Sequence, residues 1–135
     1  PLFAPHVTLI ALKSSDEKGF LEKSSAILKN FNGFRIRLSG LGSPENFYQC
    51  LFVKAKRSKR LMSLNRKAQE IFSMKYNYMP HLSLMYGSFP ANTKKKIIKE
   101  IGKIELEFSA RELRVIRGES PDPKDWKVIK RFRLK

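Results

Sequence analysis

Cysteine is almost missing. Cys50 is the chain's only one, so no disulfide can close within the chain. It sits in the apolar run Gln49-Cys50-Leu51-Phe52-Val53, where a thiol is a small core residue rather than a nucleophile. A cytoplasmic or nuclear compartment fits such thiol usage. Histidine is as sparse, with only His6 and His81. Two imidazoles without a carboxylate or cysteine at ligand spacing make a poor zinc site, so no metal or other cofactor is expected. No apolar run reaches membrane-spanning length and no signal-peptide pattern opens the sequence, and no membrane partner is expected. P-loop and G-x-G-x-x-G patterns are absent, which leaves nucleoside triphosphate chemistry without support. Neither an aromatic RNP pattern nor a GXXG loop is present.

Acidic residues are the last shortage: 12 against 28 basic ones, for a net charge of +16. A field of that sign concentrates polyanions, so RNA, nucleotides and anionic surfaces are the classes it attracts. With 135 residues, 41% of them hydrophobic and 11% aromatic, the chain is one domain able to bury its own core.

The apolar segment His6–Leu12 reads as a strand. Ser14 and Glu17 form a capping-box pattern, and Phe20, Leu21, Ile27, Leu28 and Phe31 then recur at helical spacing up to a stop at Asn32-Gly33. Phe34-Arg35-Ile36-Arg37-Leu38 alternates cleanly, with its two arginines outward. A Gly40–Asn46 loop leads to a strand over Phe47–Lys54, and the two strands are expected to form an antiparallel hairpin. A basic run of Lys54, Lys56, Arg57, Lys59 and Arg60 precedes an amphipathic helix between Ser58 and Phe72. A turn over Ser88–Asn92 and a third helix over Thr93–Ile101 follow, with Gly102 as the stop. Ile104, Leu106 and Phe108 alternate, then Leu113 and Val115 alternate in the opposite phase, which predicts a bulge or break near Ser109–Arg111. A last strand covers Trp126–Leu134. The pattern is α+β, with antiparallel sheets covered by helices and a weak pseudo-two-fold about residue 75.

Both histidines occur in the same chemical unit. Pro5-His6-Val7-Thr8-Leu9 and Pro80-His81-Leu82-Ser83-Leu84 each run proline, histidine, apolar, hydroxyl, leucine. On a strand, residues two apart share a face, so each imidazole stands beside a hydroxyl. A single such unit is usually an edge-strand histidine bonded to its neighbour. Two of them, using every histidine in the chain, point to a paired site.

Two H-x-[ST] motifs on strands, half a domain apart, resemble the two-histidine (2H) phosphoesterase superfamily. The form Pro80-His81-Leu82-Ser83-Leu84-Met85-Tyr86-Gly87 is most similar to its cyclic phosphodiesterases, which act on 2′,3′-cyclic nucleotides and ADP-ribose cyclic phosphate. The Gln49–Val53 strand and the strand containing Trp126 also look like that family's. The resemblance implies one bilobal domain over residues 1–135, divided near residue 75, with both histidines meeting in a central cleft. Members of the family carry a further strand ahead of the first motif, where here only Pro1 to Pro5 precede His6. That strand is either cut away, absent or supplied differently.

Opening a cyclic phosphate with water requires one proton removed from the nucleophile and one given to the leaving oxygen. Imidazoles, whose ordinary pKa is about 6.5, can do both. The expected roles are His81 activating water and His6 protonating the departing ribose oxygen, with a 2′-phosphate product by family analogy. The Thr8 and Ser83 hydroxyls would hold the phosphate. Alternation turns Tyr86 to the other face, a packing role, whereas the resemblance places a tyrosine near the substrate. The expected partner of this monomer is a cyclic nucleotide, or RNA ending in a cyclic phosphate and touching Arg35, Arg37 or the Lys54–Arg60 run. The alternatives are an RNA-processing 2H enzyme, trimming 3′ ends or joining RNA ends, and a non-catalytic basic RNA-binding domain.

Overall fold

Leu61, Leu64, Ala68 and Phe72 recur at three- and four-residue spacing and are all buried, and the helix they build is the centre of the packing. The computed structural model describes residues 4–42, 51–85, 90–120 and 122–135. Its elements are α1 (Glu17–Ile27), β1 (Phe34–Gly42), β2 (Leu51–Ala55), α2 (Lys59–Ile71), β3 (His81–Met85), α3 (Ala91–Ile101), β4 (Glu105–Ala110), β5 (Glu112–Gly118) and β6 (Trp126–Arg133). A four-stranded antiparallel sheet has the order β3-β2-β1-β4, and β5 pairs with β6 in a second sheet. The larger sheet takes two strands from each side of residue 75, so the halves of the chain interleave. The change of phase near Ser109–Arg111 is a break: the chain leaves one sheet at Ala110 and enters the other at Glu112. The start of the strand expected over Phe47–Lys54, Cys50, Tyr86, and Ser88 and Phe89 of the expected Ser88–Asn92 turn lie outside the described residues.

Two of the α-helices have termini where their chemistry directs. Ser58 caps α2 by accepting from the Leu61 amide. Gly102 stops α3 at a φ of 71°, a left-handed conformation that glycine adopts without a Cβ penalty. The first helix departs from expectation. Its cap is Asp16, whose carboxylate accepts from the Gly19 amide, and Ser14 instead accepts from the Asp16 amide. The helix also stops at Ile27 rather than Asn32, because Asn30 takes a φ of 67°, which asparagine tolerates better than most residues.

The large sheet has two unlike faces. Leu38 is paired with Ala55, Leu41 with Val53, and Val53 with Leu82; directly opposed residues point the same way. This face packs with Ile36, Leu61 and Tyr78 in one core cluster. A second cluster joins Leu9, Ile27, Leu64, Ala68 and Phe72 between α1 and α2, where the Phe20 and Phe72 rings lie 4.8 Å apart. The opposite face carries Arg35, Arg37, Phe52, Lys54, His81 and Ser83. A bulge between Leu38 and Leu41, with Gly40 at a φ of 87°, shifts β1 by one residue. That shift keeps Leu41 in the core and turns Gly42 to the open face, opposite Phe52.

Candidate active site

The segment expected as a strand over His6–Leu12 makes one isolated antiparallel bridge among the described residues, Val7 to Leu82. The ladder stops there because side chains take the next carbonyls. The Tyr78 hydroxyl donates to the Thr8 carbonyl at 2.7 Å, and the buried Asn65 amide donates to the Leu9 carbonyl at 2.8 Å. These bonds fasten the first motif to α2 and to the lead-in of β3. Burial, and then the neighbouring Tyr76, push the Tyr78 hydroxyl pKa well above the ordinary tyrosine range, so it stays a donor.

The single bridge settles how the motifs face one another. Val7 and Leu82 both pack against the core. The residues flanking each of them therefore point to the other face, where His6 lies beside Ser83 and Thr8 beside His81. The structure thus brings four of the sequence-predicted site residues onto one face. Thr8 is exposed there, and His6, His81 and Ser83 are half-buried.

Both histidines are oriented by the same device. His6 Nδ1 lies 2.8 Å from the Ala4 carbonyl and His81 Nδ1 lies 2.9 Å from the Met79 carbonyl, each two residues upstream. A carbonyl only accepts, so Nδ1 carries the proton in both rings and Nε2 is the nitrogen suited to proton transfer.

Each imidazole also meets one aromatic ring, and neither partner was assigned a role from sequence. Phe52 lies 5.0 Å from His81, centroid to centroid, and Trp126 lies 6.3 Å from His6 in an edge-on arrangement. Trp126 is itself fixed, its indole N–H donating to the Ser120 carbonyl at 3.0 Å. Each ring covers a glycine opposite it in the sheet: Gly42 faces Phe52 and Gly118 faces Trp126. A Cβ at Gly42 would stand 2.5 Å from the Phe52 ring, and one at Gly118 would stand 2.6 Å from the indole. Glycine, aromatic ring and histidine thus form a unit that occurs twice. No local sequence signal exposes it, because cross-strand register makes the pairings.

Lys54 is also opposite His81 across β2 and β3. Among the described residues, no three His, Cys, Asp or Glu side chains come together as a metal site would require, and no helix is long and apolar enough to cross a membrane.

The chain is similar to known proteins along most of its length. It is 29% identical over 100 residues to a cyclic phosphodiesterase of Arabidopsis thaliana, a match that takes in 70% of this chain and 54% of that protein; the chain thus spans about half the length of this relative. Among solved structures, TT0787 of Thermus thermophilus superimposes with a TM-score of 0.70 at 21% identity, over 96% of this chain and 78% of that one. The structure of E. coli LigT complexed with 3′-AMP gives a TM-score of 0.64 at 14% identity, over 96% and 76%. These two are likenesses of fold, and they match the α+β architecture described above. The family profile of the 2′-5′ RNA ligase superfamily covers residues 1–122, and the chain therefore belongs to that superfamily of 2H phosphoesterases.

Proposed function

We propose that the protein is a phosphodiesterase that hydrolyses 2′,3′-cyclic phosphates, on a nucleotide or an RNA end, by acid–base catalysis between His6 and His81. The observation that carries this reading is the Val7–Leu82 bridge, which turns both imidazoles and both hydroxyls to one face. Antiparallel pairing sets diagonal neighbours on a face roughly 7–8 Å apart, somewhat less at Cβ, a gap that a phosphate between two side chains can fill. The twin Nδ1 contacts support it by presenting Nε2 on both rings. The relative named as a cyclic phosphodiesterase supports the reaction class.

In the proposed step, His81 Nε2 takes a proton from water as its oxygen forms a bond to phosphorus. The P–O3′ bond breaks and O3′ receives a proton from His6 Nε2, leaving a 2′-phosphate. One water is consumed, and proton exchange with solvent restores both imidazoles. The Thr8 and Ser83 hydroxyls bond the non-bridging oxygens and stabilise the charge gathering there. The same family resemblance would bring Tyr86 against the substrate. No step calls on a metal.

Phosphorus NMR of a 2′,3′-cyclic nucleotide incubated with the protein tests this directly. The expected result is a 2′-phosphomonoester signal replacing that of the cyclic ester. An unchanged cyclic signal, with oligonucleotide binding that survives His6→Ala, would favour the non-catalytic RNA-binding reading instead.

A further inference from the structure

The open face of the large sheet continues past the histidines into a basic hollow. Lys54 stands opposite His81. Two residues further along the chain, roughly 7 Å of strand, the Lys56 amide donates to the Arg37 carbonyl at 2.8 Å, so these two residues are cross-strand neighbours on the face that Lys54 occupies. Arg35 lies two residues further along β1, and Arg35, Arg37, Lys56, Arg57 and Ser58 line one open hollow. Glu107 answers the two arginines from across the strand, 2.8 Å from Arg35 and 3.2 Å from Arg37. Both arginines remain mostly exposed, at 77% and 63%, so a stronger or multivalent anion can displace or share that carboxylate. Among the described residues, the lining of the hollow holds no aliphatic or aromatic side chain, as a protein partner or a nucleobase stack would need. Positive charge at several points along one track, with donors suited to phosphate, fits a chain of phosphodiesters.

We propose that this hollow is a non-catalytic phosphate-binding exosite, in which Arg37, Lys56, Arg57 and Arg35 hold the backbone of a single-stranded RNA whose cyclic-phosphate end lies at the histidines. The proposal rests on the two-histidine reading for what happens at that end. The strand leaves the terminal ribose through its 5′ oxygen, passes Lys54 and lies over the hollow. Contacts to phosphates carry no base information, so the exosite selects length rather than sequence.

The test compares an eight-nucleotide RNA ending in a 2′,3′-cyclic phosphate with the cyclic mononucleotide, for the parent and for Arg37→Gln/Lys56→Gln. Circular dichroism melts check that the variant folds, and Lys56→Gln alone serves as a second variant should the pair melt early. For the parent, the oligonucleotide KM should rise with salt with a log–log slope of about 2 or steeper, from three or more contacts at about 0.7 each. The double variant should lower that slope by about 1.4 and raise the oligonucleotide KM at least tenfold, while mononucleotide kcat/KM stays within about twofold. Equal salt dependence for both substrates, or equal loss on both in the variant, overturns the exosite. Anisotropy of a labelled RNA without a cyclic end separates the two readings. Steep, variant-sensitive binding without turnover of either substrate keeps the exosite and removes the phosphodiesterase; turnover of the mononucleotide without such binding does the reverse, and leaves the hollow to an acidic protein.

Discussion

Val7 and Leu82 face each other across an antiparallel bridge, and two residues that perform no chemistry thereby decide which way four polar side chains point. Leu82→Ala trims that contact from a half-buried position, and should cost about 2 kcal/mol, the low end for a Leu→Ala change. Activity should fall further than the loss of folded protein explains. Urea melts and kcat measured on the same samples separate the two effects.

His6→Ala and His81→Ala should each lower kcat by about 10²–10⁴-fold, as loss of a general acid or base does. The double variant should be little worse than either single one, since the two act as a unit. EDTA should leave the parent rate unchanged. The rate should fall on both sides of an optimum pH, because one imidazole must be neutral while the other is protonated. Activity lost to EDTA and restored by zinc or magnesium would contradict the mechanism.

Gly42→Ala and Gly118→Ala place a methyl group against Phe52 and Trp126, where the spaces are 2.5 Å and 2.6 Å. Overpacking of this kind costs about 1–3 kcal/mol, and the displaced ring shifts its histidine. The expected signature is a fall in kcat of about tenfold with KM little changed, together with a displaced pH optimum. Gly102→Ala, where an added Cβ meets nothing within 4 Å, should lower stability through its left-handed φ yet leave the pH profile in place.

Tyr78→Phe removes the hydroxyl that holds the Thr8 carbonyl, and should cost about 0.5–1.5 kcal/mol near neutral pH. The pH dependence follows from burial raising the Tyr78 pKa in the folded state. Its contribution is complete below the unfolded tyrosine pKa of about 10 and is lost as pH climbs from there toward the higher folded pKa. Melting temperatures should therefore drop as pH rises from about 9 to about 11 in the parent, and less so in Tyr78→Phe. At the acid end, the Arg35 hydrogen bond and then the Arg37 charge hold the Glu107 carboxyl below the usual carboxylate range. That contribution is present above the unfolded carboxylate pKa and is lost as pH falls through the folded one, an acid loss that Glu107→Gln should reduce.

Where a structural choice was local, the sequence displayed it. The spacing of Leu61, Leu64 and Ala68 marks α2, Gly102 marks the end of α3, and the two proline-histidine units mark the site. The Ser14 cap misleads because Asp16, two residues nearer the first turn, accepts from the Gly19 amide and so starts the helix later, while Ser14 accepts from the Asp16 amide. The strand expected over His6–Leu12 shrinks to one bridge because Tyr78 and Asn65, far along the chain, claim its carbonyls. Phe52, Trp126 and their glycines are silent in the sequence for a related reason. The Gly42–Phe52 pair depends on a one-residue bulge at Gly40, and the Gly118–Trp126 pair on the register of β5 with β6, neither of which is written in any short window.

The first motif is fastened from far along the chain, with Tyr78 and Thr8 separated by 70 positions. The β1–β4 pairing closes a loop of similar length with six paired residues, whereas the first motif offsets that entropic cost with one bridge and the Tyr78 and Asn65 side-chain bonds. The first motif should then dock after α2 and the four-stranded sheet have formed and come apart before them. On gentle heating, the segment around His6 should detach as a unit while α2 and the four-stranded sheet persist. The proposed activity should then be lost before the shape, with inactivation at a lower temperature than the melting of the helices and amide exchange faster at Val7 than within α2.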